Sequence, residues 1–114
     1  MDERLELHLQ HVGETPVLHA AGEIDVVTAP MLRARLAEVP EETRVVVVDL
    51  SEVSFLDSTA LSVLVGGWKR FSSEADDAEL RLVVTRPMIQ RVLDITGLAK
   101  VFSIYQTLEA ALNG

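Results

Sequence analysis

The stretch VVVVDLSEVSFLDSTALSVLVGGWKR, residues 45–70, restricts the fold of this chain more than any other. The valines of TRVVVVDL do not alternate with polar residues, so a strand here has both faces buried, as at the centre of a parallel sheet. The same stretch ends as a helix. Turning it ~100° per residue from Ser58 onward gathers Leu61, Leu64, Trp68 and Phe71 on one face, with Ala60 and Gly67 at its border. The opposite stripe holds Thr59, Ser62, Gly66, Lys69 and Arg70, with Val63 beside them and Ser58 near the edge. A buried strand feeding an amphipathic helix is half of a βαβ unit.

The remainder extends this pattern. LELHLQHV (residues 5–12) puts Leu5, Leu7 and Leu9 on one face and Glu6, His8 and Gln10 on the other, as in a half-exposed edge strand. GETP turns the chain, and VLHAAGE (17–23) reads as its hairpin partner. A helix follows, with Thr28 as N-cap, Pro30 in the first turn, Leu32, Leu36 and Val39 at helical spacing and Pro40 as its stop. SSEADDAE, containing the acidic run from Glu74 to Glu79, reads as a solvated loop, and LRLVV (80–84) as a strand. TRPMIQRVLDITG is a helix with Pro87 early and Gly97 as its C′ stop. VFSIY and TLEAALN then read as a last strand and helix. The order is β-β-α-β-α-β-α-β-α, an α/β class with a mixed sheet, parallel after the opening hairpin.

Length and composition narrow the function. The 114 residues, 48% hydrophobic and 25% charged, suit one ordinary domain, 1–114. A net charge of −8 argues against nucleic acid and against anionic membrane surfaces, and favours a protein partner. Absence of cysteine removes disulfides, thiol catalysis and thiolate metal sites. MDERLELHL has no apolar signal core and no apolar run approaches the ~20 residues that span a bilayer, so a soluble, cytoplasmic protein is expected.

The polar knot Asp57-Ser58-Thr59 is the candidate site. Asp and Ser are favoured N-caps, so Ser58 reads first as a helix cap. The same position suits a phosphate, because a helix N-terminus offers free N–H groups and partial positive charge. A phosphoserine there changes the surface charge without melting the helix. Gly66 adds a second signal: a mid-helix glycine costs roughly 1 kcal/mol against alanine, and on the outward stripe it would admit a partner's backbone or helix. A hydrolytic serine fits poorly, since Leu56 and Ala60 stand where the nucleophile elbow requires glycines. The histidines, His8, His11 and His19, all belong to the opening hairpin. His8 and His11 face opposite ways on a strand, so no metal site and no cofactor are expected. His19 reads as a hairpin residue packed on its neighbours, and Arg86 and Arg91 as helix-surface charges.

DLSEVSFLDSTALSVLVG, GEIDVVTAPMLR (Gly22 to Arg33) and RPMIQRVLDITGLAKVFSIYQTLEAAL together resemble STAS domains, specifically the anti-sigma factor antagonists (anti-anti-sigma factors), over nearly the whole chain. The resemblance implies a regulator and not an enzyme. It implies binding to an anti-sigma factor that is a serine kinase, with release of a sigma factor. Phosphorylation of Ser58 by that kinase would switch the protein off, and a metal-dependent serine phosphatase would restore it. Asp57 and Asp25 match acidic positions beside the serine and are expected at the docking surface or near the kinase's nucleotide; Asp25 also reads as a turn or cap residue before Thr28. Thr59 matches the position that is not the usual acceptor, and Ser62 and Gly66 continue the expected surface. The family usually has glycine at Ala60, where the extra methyl is expected beside Ser58 and to narrow which kinase closes over it. Ala60→Gly should accordingly not reduce phosphorylation. Two alternatives stay open: a constitutive STAS interaction module in which Ser58 only caps, and an enzyme or aspartate-phosphorylated receiver. The receiver lacks its acidic cluster in LHLQHVG and its lysine in FSIYQ.

Overall fold

The computed structural model describes residues 4–73 and 76–114; residues 1–3 of the charged start and residues 74 and 75 of the acidic loop lie outside the described residues. The elements are β1 (Leu5–Val12), β2 (Thr15–Ile24), α1 (Ala29–Leu36), β3 (Val45–Leu56), α2 (Ser58–Ser72), β4 (Glu79–Val83), α3 (Pro87–Thr96), a 3₁₀ turn (Leu98–Lys100), β5 (Ser103–Tyr105) and α4 (Leu108–Asn113). The strands form one sheet in the order β1-β2-β3-β4-β5. β1 and β2 are antiparallel, and each later pair is parallel. This is the mixed α/β sheet that the alternation of patterns implies.

The valine run lies at the centre of that sheet. Val46 and Val48 pack into the larger core with Leu32, Leu64, Ile89 and Leu93 from α1, α2 and α3. Val47 faces the other way and joins Val17, Val83 and Ala111 in a smaller cluster under α4. Arg81 fixes α4 there, donating to the Ala111 carbonyl at 2.8 Å and to Glu79 at 2.9 Å while lying over the Tyr105 ring. Arg81 heads the causes that hold the Glu79 carboxyl below its usual range, followed by the Ser103 hydroxyl.

Several boundaries differ from those the sequence suggests. β3 continues to Leu56, right up to the polar knot, with two register shifts against β2 that interrupt its alternation. Core residues Leu50, Val53 and Leu56 are therefore three apart: each bulge inserts one residue and returns an apolar side chain to the core face. Asp49 stabilises the first bulge, its Oδ1 accepting from the Ser51 amide at 3.0 Å and hydroxyl at 2.6 Å. β4 begins at Glu79 and ends at Val83, β5 is confined to Ser103–Tyr105, and the 3₁₀ turn before it has no counterpart in the apolar pattern. Gly97 ends α3 with φ +79°, as expected of a C′ glycine.

α1 ends at Leu36, with Val39 buried just beyond it. Arg70 explains the ending. It belongs to the expected outward stripe of α2, yet its guanidinium donates to the carbonyls of Leu36 and Ala37, at 3.2 and 3.4 Å, and of Val39. A long cationic side chain thus satisfies the orphan acceptors of the neighbouring helix's C-terminus. Val63, expected beside that stripe, is instead buried in the core, where α1 packs against α2. Thr28 flanks α1 without a side-chain cap bond; its hydroxyl instead donates to the Glu23 carbonyl at 2.8 Å.

Candidate phosphoswitch surface

The end of β3 enters α2 through Asp57, whose backbone is still extended and whose carboxylate starts the helix. Its Oδ1 accepts from the Thr59 amide at 2.9 Å and the Ala60 amide at 3.1 Å. Its own amide donates to the Ile24 carbonyl at 3.2 Å, joining this junction to the end of β2. The cap is therefore Asp57, and the reading of Ser58 as the cap is corrected. Asp57 has the right extended geometry, while Ser58 is already the first helical residue. Ser58 is exposed, and its hydroxyl has no hydrogen bond among the described residues. Replacing Asp57 with Ala should cost about 1 kcal/mol in chemical denaturation, the usual value of a lost N-cap. Ser58→Ala should leave the midpoint almost unchanged.

Ala60 is fully buried. Its methyl points into the core, so it does not stand beside Ser58 or narrow access to it, contrary to expectation. Ala60→Gly is then a helix and packing change, not a change of the exposed surface.

Asp25 follows β2 and forms a tight turn. Its Oδ1 accepts from the amides of Val27 (2.9 Å) and Thr28 (3.0 Å), and its Oδ2 pairs with Arg4 at 2.7 Å. The Thr28 amide, then the Val27 amide and the Arg4 guanidinium, hold the Asp25 carboxyl below its usual value against the opposing effect of desolvation. Because the folded pKa is the lower one, this stabilisation is complete above the ordinary carboxylate range and is lost as pH falls through that range and the folded value. A carboxyl-detected NMR titration should give Asp25 a lower midpoint in the folded chain than in the denatured chain. Asp25→Asn should weaken the turn above that range and make it less sensitive to acid.

The outward stripe of α2 continues from Ser58 through Ser62 and Gly66, all exposed, with Thr59 half-buried beside them. The Ser62 hydroxyl donates to the Ser58 carbonyl at 3.0 Å, so it lies folded against the helix. A Cβ at Gly66 would meet nothing within 4 Å, so internal packing does not require glycine there. Grooves lie on both sides of this low ridge. One, against α1, is floored by Leu36, Val63 and Gly67; the other, toward the end of α3, by Leu61, Val65 and Leu98.

Sequence reasoning misses an apolar rim. Val26 is 68% exposed, Val27 60% and Phe55 44%. All three sit where β2 and β3 end side by side, since Ile24 pairs with Leu56 immediately before the Asp25 turn and Asp57. The available signal is two valines in a turn that no strand or helix could bury.

A five-stranded mixed sheet, parallel after its opening hairpin and carrying these helices, is the frame of a STAS domain. The STAS domain family model matches residues 6–111, and the chain belongs to that family. Among curated relatives, the anti-sigma-B factor antagonist of Bacillus subtilis (strain 168) is 37% identical over 96 residues, 84% of this chain and 86% of that protein. An anti-sigma-F factor antagonist of Mycobacterium tuberculosis is 32% identical over 99 residues, covering 86% of this chain and 79% of the relative. The crystal structure of an anti-sigma factor antagonist from Mycobacterium paratuberculosis superposes with a TM-score of 0.87 at 32% identity, over 96% of this chain and 92% of that one. No helix among the described residues is long and apolar enough to cross a membrane.

Proposed function

We propose that this protein is an anti-sigma factor antagonist: a binding protein that sequesters an anti-sigma factor serine kinase and so releases a sigma factor. Phosphorylation of Ser58 turns it off, and a serine phosphatase turns it on again. The observation that carries this reading is the division of labour at the start of α2. Asp57 does the capping, so Ser58 is left exposed, with its hydroxyl unbonded among the described residues, in the first turn, where added phosphate is tolerated by the helix. The names of the curated relatives support the antagonist role.

In this reading Ser58, Ser62, Gly66 and the half-buried Thr59 belong to the contact face, with Val26, Val27 and Phe55 as apolar anchors. Asp57 and Asp25 act mainly by shaping it, since their carboxylates are occupied by backbone amides. A phosphate on Ser58 would add about −1.5 to −2 charge beside Asp57, on a face built to meet a partner without it. Chemistry on the phosphate belongs to the kinase and phosphatase, and this chain supplies only the hydroxyl and its setting.

Phosphosite mapping of the chain recovered from its source cells tests the switch. Phosphate should map to Ser58 and not to Thr59 or Ser62, and should disappear in Ser58→Ala. Persistent absence of phosphate while the kinase is active would favour the constitutive interaction module.

A further inference from the structure

We propose that a second copy of this chain pairs along the outer edge of β1, joining two sheets into one. This goes beyond the antagonist reading and does not depend on it. β1 is the first strand of the sheet, so its outer N–H and C=O groups have no strand partner among the described residues. Natural edges are usually blunted by charged side chains, lysine above all, by proline, a bulge or extreme shortness, or by a covering helix or loop. β1 has eight residues, LELHLQHV, with no proline or lysine, and an unbroken register against β2. The opposite edge, β5, has three residues and is short enough to be protected.

The side chains select one arrangement. In an antiparallel pair, directly opposed residues share a face of the sheet, and opposite charges or hydrogen-bonding partners there stabilise it. A two-fold axis at Leu7 sets Leu7 against its own copy and Leu5 against Leu9 of the second chain on the core side. On the other side it sets the Glu6 carboxylate against the His8 imidazole of the second chain, twice over. Centring on His8 or Leu9 instead opposes Glu6 to Gln10 or Val12 and forfeits both pairs. Leu7 and Leu9 are only partly buried although they pack on the core, and the second copy would cover them. β2 separates β1 from β3, so pairing at this edge leaves Ser58 exposed. The −8 charge on each copy opposes association, so added salt should strengthen it.

Sedimentation equilibrium of the unmodified chain over a wide range of concentration and salt is the test. A monomer–dimer equilibrium that tightens with salt is expected. His8→Glu, which opposes carboxylates twice, should weaken it roughly tenfold, and the swapped double variant Glu6→His/His8→Glu should restore it. Leu7→Cys should cross-link readily between copies under mild oxidation, while Gln10→Cys should not. A chain that stays monomeric throughout, or a dimer indifferent to His8→Glu, would overturn the proposal.

Discussion

Ser58→Glu is expected to weaken binding to the anti-sigma factor by on the order of a hundredfold, because a like charge misplaced at a contact face costs several kcal/mol. The fold should not register the change as damage. Ser58 is exposed, its hydroxyl carries no internal bond among the described residues, and a carboxylate in the first turn of a helix interacts favourably with the helix dipole. Thermal unfolding should therefore give a midpoint equal to or slightly above that of the unmodified chain. Ser58→Ala should match the unmodified chain in both assays. Loss of binding together with loss of stability would mean that the substitution unfolds the site, and the switch would need another explanation.

Gly66→Leu is the second large effect, and its two consequences have opposite signs. Glycine in a helix interior costs roughly 1 kcal/mol relative to the best helix formers, and a side chain at position 66 would enter open space. Stability in chemical denaturation should rise by about 0.5–1 kcal/mol. Affinity for the anti-sigma factor should fall, because the side chain fills the low ridge between the two grooves that flank α2. A variant that gains stability and keeps full affinity would remove Gly66 from the contact face. Natural chains retain such a costly residue when function uses the space it leaves.

The sequence is legible where one physical demand dominates. Four β-branched valines without alternation point to a strand covered on both faces, and Val47 packs opposite Val46 and Val48 accordingly. Gly97 in the left-handed region and the alternation of β1 from Leu5 to Gln10 are equally direct. Legibility fails where two rules compete. Leu50, Val53 and Leu56 are spaced like neither a strand nor a helix until the two bulges are known, and a bulge depends on side-chain bonds such as Asp49 to Ser51. Asp57 and Ser58 are both good caps, and only the backbone conformation separates them.

Helix periodicity puts Arg70 on the outward stripe because it knows nothing of the α1 carbonyls nearby. Sequence adjacency likewise puts Ala60 beside Ser58, although its methyl turns inward. The valines at 26 and 27 read as a connection between elements, and their exposure depends on how Asp25 folds its own turn. In each case the missing information is tertiary: which neighbour supplies a partner or takes away space.

The central proposal is that phosphorylation of Ser58 decides whether this protein holds an anti-sigma factor kinase. A pull-down from source-cell lysate tests it most directly, using the unmodified chain, Ser58→Ala and Ser58→Glu as parallel baits with mass-spectrometric identification. The account predicts that an ATP-binding anti-sigma factor is retained by the first two baits and lost from the third. Equal retention of the same partners by all three baits would contradict it, leaving a constitutive STAS module whose interactions do not depend on Ser58.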